Sequence, residues 1–393
     1  PQSPSELLGR KRHRRIPLNV GTLGDVERSF IIHSHDTEYI YNVSNEQLSN
    51  NNSLLYEDVI ISDDKENWYQ AAREELQSIV VDNETWTPVT NVPAGARVLT
   101  TKWLFKRKLK RGVPDRYKGR LCVRGFEQTE GVNYFETFAP TASWVTLRFF
   151  LTLCACMSLT TRQLDVKTAF LYAALDEEIY IQIPKGVRGN IFGLSEDCMK
   201  LCRGGALRLK KSLYGLKQAP RNWFETLSTF LSDQGFRALK LATCMFIKYI
   251  NGCIMIVLVY VDDILIAGAN DSDVATLVLA FKDRFKISDS GEVDVYLSIH
   301  VERNIARREI YLDQCDYIEQ IWKTFKGVEN TSVTTPLQQN WRIVIDEELA
   351  QASDKDREFV HAFPYRELIG SLLFIMICTR GDVCYAVGYL ARF

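Results

Sequence analysis

The stretch GCIMIVLVYVDDILIAG, positions 252–268, limits what this chain can fold into more than any other. An apolar run over 253–261 meets two adjacent carboxylates, Asp262 and Asp263, and resumes through Ile264, Leu265 and Ile266. Its β-branched content and flanking glycines predict two buried strands rather than a helix. The aspartate pair then falls at a hairpin turn. Two negative charges on the rim of an apolar core need solvent or a cation to compensate them. A solvated Asp-Asp turn is the plain reading; a cation site is the sharper one.

Composition leaves both readings open. At 393 residues the chain has material for two or three domains, and 46% hydrophobic with 25% charged residues is ordinary for a soluble globular protein. A net charge of −1 announces no polyanion partner, so any nucleic-acid surface must come from local clustering. The ten cysteines form no CxxC pair and do not combine with the five histidines at zinc-ligand spacing. They read as reduced, mostly buried thiols. No stretch is long and apolar enough to span a bilayer. With Pro1 at one end and a helical pattern broken at Phe393, the chain reads as a piece of a longer polyprotein.

Residues 1–62 are polar and weakly periodic and read as a disordered linker. Within them Arg10, Lys11, Arg12, His13, Arg14 and Arg15 form a basic run, either a solvated tail or a nuclear-import or phosphate-contact signal. Order is expected from Asp63, with Ser62 or Asp63 capping a helix through Trp68, Ala71, Ala72, Leu76 and Ile79. Alternation over 98–109 and 117–123 around a turn at 111–115 predicts a hairpin. It is the most basic part of the chain, and Lys118, Arg120 and Arg124 share one strand face. A solvated face is one account of that row; a phosphate-facing surface explains its single sign better.

Beyond the hairpin, 145–157 reads as an apolar helix and 162–166 as a strand, with 167–172 opening another helix. Residues 179–183 alternate as a strand and 185–210 look irregular. A helix runs from Gln218 or Pro220 through Trp223, Leu227 and Phe230. After the 252–268 hairpin come a helix over 273–285, strands near 296–302 and 310–312, a helix over 316–325, and apolar helices over 366–392 split at 380–382. Asp165, at the end of the 162–166 strand, is placed to face the hairpin turn across a sheet. Three carboxylates backed by apolar strands form a donor set for two divalent ions about 3.5–4 Å apart. Mg²⁺ accepts a few carboxylates completed by water and substrate phosphates.

Several motifs then occur in order: RYKGRLCVRGFEQTEGVNYFETFAPTA at 116–142, QLDVKTAFL at 163–171, LKKSLYGLKQAPRNWF at 209–224, VYVDDILIAG at 259–268 and YRELIGSLLFIMICTR at 365–380. Together they resemble the reverse transcriptase region of copia-type LTR retrotransposon Pol polyproteins. The resemblance runs from about Trp68 to Phe393. It implies an α+β fold of the right-hand polymerase kind, with fingers, palm and thumb and an antiparallel palm sheet backed by helices. On that frame 63–330 would be fingers and palm with the start of the thumb, and 331–393 the end of the thumb and a connection towards an RNase H domain. The implied activity is RNA-directed DNA polymerisation with Mg²⁺, or Mn²⁺, on an RNA or DNA template with a primer and dNTPs. Other Pol and Gag products would be partners, without a membrane, in a cytoplasmic particle or the nucleus.

The same resemblance carries residue roles. Asp165, Asp262 and Asp263 match the catalytic aspartates, with metal contacts mainly on Asp165 and Asp262 and Val166 beside them. Lys118 and Arg120 match triphosphate contacts. Phe170 matches the aromatic under the deoxyribose, Tyr214 and Gly215 the segment under the incoming base, and Gln218 a nucleotide contact. Lys217, Arg221, Tyr260, Leu297 and Ser298 fall at nucleic-acid-binding positions, the last two on the primer-grip strand. The chain departs from the family pattern at Tyr172-Ala173, where Asn-Gly is usual. A glycine is usual at Ser298 and a proline at Gly381. Residues 202–209 look like an insertion. Two readings follow: an active polymerase, or a catalytically decayed fragment that only binds nucleic acid.

Overall fold

The computed structural model describes residues 53–110, 113–325, 334–337 and 353–392. The expected linker up to residue 52, with its basic run at 10–15, and most of the polar stretch over 340–360 lie outside the described residues. Among the described residues, helices mix with sheets whose strands pair antiparallel in every case but one, Val98–Leu99 with Tyr180–Ile181. Its described residues fall into two compact units, one drawn from 49–142 and 159–293, the other from 143–158 and 294–393. One boundary between them falls between Val293 and Asp294.

The first unit is organised on a six-stranded sheet. Its order is Ile287–Gly291, Thr160–Val166, Asp263–Gly268, Cys253–Tyr260, Ala242–Ile250 and Arg237–Leu239. The 253–268 run forms the expected hairpin and occupies the middle, where strands buried on both faces must be continuously apolar. Helices Ala219–Asp233 and Asp271–Arg284 bury Trp223, Leu227 and Phe281 against Val257, Ile264 and Ile266. Pro220 stands in the first turn of the former, where no helical N–H is lost. The two strands over 237–250 were not anticipated. Their signal was Asn251-Gly252, which takes the double left-handed turn (φ 50° and 80°) that closes a two-residue hairpin.

A second core in this unit packs a three-stranded and a four-stranded sheet with the helix Lys65–Leu76. The three-stranded sheet holds Ser53–Leu54, Thr101–Lys110 and Val113–Val123, so the basic hairpin is its main part. Residues 53–60, expected in the linker, instead give a strand paired to that hairpin and the helix Tyr56–Ile60, with Val59 fully buried. Residues 167–172 form only a short 3-10 turn, Ala169–Tyr172, not a helix. The supposed insertion is built in: Ala206–Leu209 is an inner strand between Trp86–Val89 and Tyr180–Ile181, with Ala206, Leu207 and Leu209 buried. The segment reads as a loop in sequence because its pairing partners are over a hundred residues away for one edge and supply its only order.

One backbone contact binds the basic hairpin to the Tyr214-Gly215 segment. Val123 N donates to Tyr214 O at 2.7 Å, and Gly215 sits at φ 91°. A Cβ on Gly215 would lie 2.0 Å from Val123 O. Glycine is required there by its closeness to the hairpin.

The second unit combines hairpin strands Ile299–Asn304 and Glu309–Asp313 with helices Trp144–Cys156, Cys315–Thr324 and Tyr365–Cys378. Ser143 caps the first of these helices by accepting from Thr146 N. Arg148 on that helix donates to the Ile377 and Cys378 carbonyls at 2.6 and 2.7 Å, satisfying the end of the Tyr365–Cys378 helix. Leu297 and Ser298 form the two-residue turn between Val295–Tyr296 and Ile299–Asn304, both left-handed at φ 51° and 65°. Unlike Asn251-Gly252, this pair contains no residue suited to that conformation.

Two stability measurements follow. Ser298→Gly should raise stability by about 0.5–1 kcal/mol, the left-handed penalty less glycine's unfolded-state entropy, as read by denaturant melts. Gly215→Ala should lower it by about 3 kcal/mol or more, because the methyl meets backbone that cannot yield.

Candidate active site

The three aspartates meet through strand register. Asp263 opens its strand directly opposite Asp165, with Ile264 opposite Leu164 next along. Directly opposed residues of an antiparallel pair have Cα atoms about 4.5–5.5 Å apart, with side chains on the same face. Asp262 precedes Asp263 in the turn, and Tyr260 closes the hairpin opposite Asp263.

That turn is held from two sides. Val261 takes φ 54°, a conformation β-branched residues avoid. The Trp223 indole N–H donates to Val261 O at 2.7 Å, and Val166 N donates to Asp262 O at 2.9 Å. Each bond is worth about 1 kcal/mol, comparable to the left-handed penalty of about 1–2 kcal/mol, so the clamp offsets the strain.

All three carboxylates are half-buried. Burial raises the pKa of Asp262, with repulsion from Asp165 adding to it and the charges of Arg120 and Lys118 opposing it. Asp263 is pushed up to about 7 by burial, then by Asp262 and Asp165. Burial and mutual repulsion therefore oppose full ionisation of the pair, a cost that a bound cation would relieve. Among the described residues no group of three or more His, Cys, Asp or Glu closes into a ready-made metal cage. The donor set fits an ion that completes its coordination with substrate oxygens and water, the habit of Mg²⁺.

Asp165 and Asp262 line a cavity of about 1070 Å³, together with Val166, Lys118, Arg120 and Tyr214. Arg120 places its guanidinium carbon 5.0 Å from the centre of the Tyr214 ring. Phe170 packs edge-on to the same Tyr214 ring, with ring centroids 4.9 Å apart. Burial raises the pKa of the Tyr214 hydroxyl, which stays protonated. Arg124, expected on the same strand face, lies past the end of Val113–Val123 at the start of a 3-10 turn.

Gln218, expected at the nucleotide, is committed elsewhere. It is 1% exposed, accepts from Gln128 Nε2 at 2.9 Å and donates to Asn133 O at 2.9 Å and Glu177 at 3.2 Å. Both of its amide hydrogens are spent and the side chain is buried, so it has no donor left for a ligand. Lys217 donates to the Tyr134 hydroxyl at 2.9 Å, and Arg221 bridges Glu136 and Glu225 at 2.5 and 2.8 Å. Neither lines the cavity, and neither does Gly215. Leu297 and Ser298 belong to the second unit. Sequence reasoning missed Glu75, which lines the cavity beside Arg120. Its only sequence signal was an acidic residue on the helix face that carries Ala71 and Ala72.

Because the folded state holds Asp263 protonated to about pH 7 while an unfolded aspartate ionises near 4, the folded state binds the extra proton between these values. Stability contributed by this group is complete below about pH 4 and is lost as pH rises towards 7. Asp263→Asn should flatten that decline and, without divalent ions, melt about 1–3 kcal/mol more stable than the parent at pH 8. Melts across pH 4–8 check this; parallel curves would refute it.

A family model described as "Reverse transcriptase (RNA-dependent DNA polymerase)" matches residues 83–339. The Retrovirus-related Pol polyprotein from transposon TNT 1-94 of Nicotiana tabacum is 34% identical over 339 residues, 86% of this chain and 24% of that protein. The corresponding polyproteins from transposons RE1 and RE2 of Arabidopsis thaliana are 30% and 31% identical, over 84% and 83% of this chain and 21% of each relative. The chain thus spans a quarter or less of the relatives it matches. It belongs to the reverse transcriptase family, in the branch carried by copia-type LTR retrotransposon Pol polyproteins.

Proposed function

We propose that this chain is the catalytic part of an RNA-directed DNA polymerase that joins a dNTP to a primer 3′-hydroxyl by two-metal nucleotidyl transfer. The observation that carries the reading is the register opposing Asp263 to Asp165, with Asp262 in the clamped turn and two cations across the same cavity. The six-stranded sheet and its helices serve as palm, the basic hairpin and its neighbours as fingers, and residues 294–392 as thumb and connection.

Asp165 and Asp262 would hold the ions, with Asp263 beside them and Val166 completing the wall. When bound, Mg²⁺ or Mn²⁺ lowers the pKa of the primer hydroxyl and neutralises the triphosphate. Lys118 and Arg120 bind the triphosphate from the hairpin side. The Tyr214 ring gives the base and sugar a flat floor, and Phe170 braces that ring from the side. Template and primer supply the remaining partners, read through phosphates rather than sequence.

A purified chain should extend oligo-dT on poly-rA with Mg²⁺ or Mn²⁺. Asp262→Asn and Asp165→Asn should each reduce the rate by several orders of magnitude while primer–template affinity is retained. If the parent is as inactive as the variants and all bind primer–template, the decayed-fragment reading replaces this one. The unsuited turn at Leu297-Ser298 is the observation that favours that alternative.

A further inference from the structure

The basic hairpin ends its sheet at Val113–Val123, and the helix Lys65–Leu76 lies against that edge. Gly119 permits the approach: a Cβ there would meet the Phe105 ring at 3.1 Å and Ala71 O at 3.3 Å. From the helix's last turn, Glu75 Oε1 accepts the main-chain N–H of Leu121 at 3.2 Å. An edge N–H needs such a partner when it is covered. Glu75 also lines the cavity with Lys118, Arg120, Tyr214, Asp165 and Asp262.

The residue is out of place for a merely structural role. Burial pushes its carboxyl up to about 7, against the pull of the Leu121 N–H, Arg120 and Lys118. Apolar residues would fill this space without that penalty. Next to it, the buried Arg120 Nε has no hydrogen-bond partner, and the guanidinium is fixed by its place over Tyr214. A planar fork held in this way suits phosphate oxygens through its terminal nitrogens.

We propose that Glu75 is a positioning residue: by accepting the Leu121 N–H it pins the strand that carries Lys118 and Arg120, so that both meet an incoming triphosphate already in place. The inference rests on the polymerase reading above. Glu75 touches no substrate; it acts through the strand. Its useful property is an acceptor oxygen at the right reach and not a charge, since a fixed anion beside a triphosphate repels it. Glutamine therefore substitutes for it, and alanine does not.

The test is steady-state primer extension on poly-rA with oligo-dT, separating KM for dTTP from kcat, alongside primer–template affinity and melting. Glu75→Ala should raise KM for dTTP about tenfold with kcat changed less than about threefold and primer–template affinity unchanged. Glu75→Gln should bring KM back to within about twofold of the parent. Should Glu75→Ala fail to fold, Glu75→Asp, which withdraws the oxygen by one carbon, carries the same expectation. An unchanged KM in Glu75→Ala or Glu75→Asp, equal losses in Glu75→Gln and Glu75→Ala, or a loss confined to kcat would overturn the proposal. A parent that extends no primer would overturn the polymerase reading and this inference with it, whereas an active parent with an indifferent Glu75 overturns the inference alone.

Discussion

Two hydrogen bonds to the carbonyls of Val261 and Asp262 govern the rest of this site. A β-branched residue at φ 54° would relax if left to itself, and relaxation would swing Asp262 away from Asp165. The indole of Trp223 and the amide of Val166 remove that freedom. One donor comes from a helix and the other from the strand that carries Asp165. The turn therefore holds its shape only when the helix and the sheet are both assembled. Repulsion among the carboxylates works against the clamp, and the buried core behind Ile264 and Ile266 resists it. Burial and repulsion thus raise the cost of charging the site before any cation arrives.

The glycine positions show how context decides whether a departure from the family pattern matters. Ala173, where glycine is usual, is extended at φ −89° and fully buried, a conformation alanine adopts freely. Tyr172 beside it fills an aromatic cluster with Trp223 and Phe285, and its hydroxyl accepts from Lys286 N at 2.7 Å. That pair has been absorbed into the packing. Ser298 has not, since its backbone remains left-handed and nothing replaces the missing freedom. Residues 202–209 resemble the first case: an inner strand with buried leucines is part of the architecture.

What was legible in the sequence was whatever carried its own period or charge. The 253–268 hairpin and the three aspartates announced themselves because burial on both faces demands unbroken apolar strands and the acids interrupt them. The basic row at Lys118 and Arg120 was legible for its single sign. The strand Ala206–Leu209 was not, being too short for a period and ordered by distant partners. The hydrogen bonds of Gln218 were not legible, because a motif position says nothing about where an amide spends them. Glu75 was invisible because its significance lies in one edge N–H that only the packed helix reveals.

The helix Trp144–Cys156 is interposed in sequence between two halves of the first unit, yet its Trp144 packs on Phe374 and its Arg148 caps the Tyr365–Cys378 helix. The unit that carries the three aspartates is therefore not a separable length of polypeptide. A recombinant fragment stopping at Val293 would still carry that helix, stripped of those companions and showing Leu147, Phe150 and Leu151 as an adhesive surface. Trimming this chain for crystallisation or expression calls for replacing residues 143–158 with a short polar bridge, because no single pair of cut points isolates the aspartates with only their own scaffold.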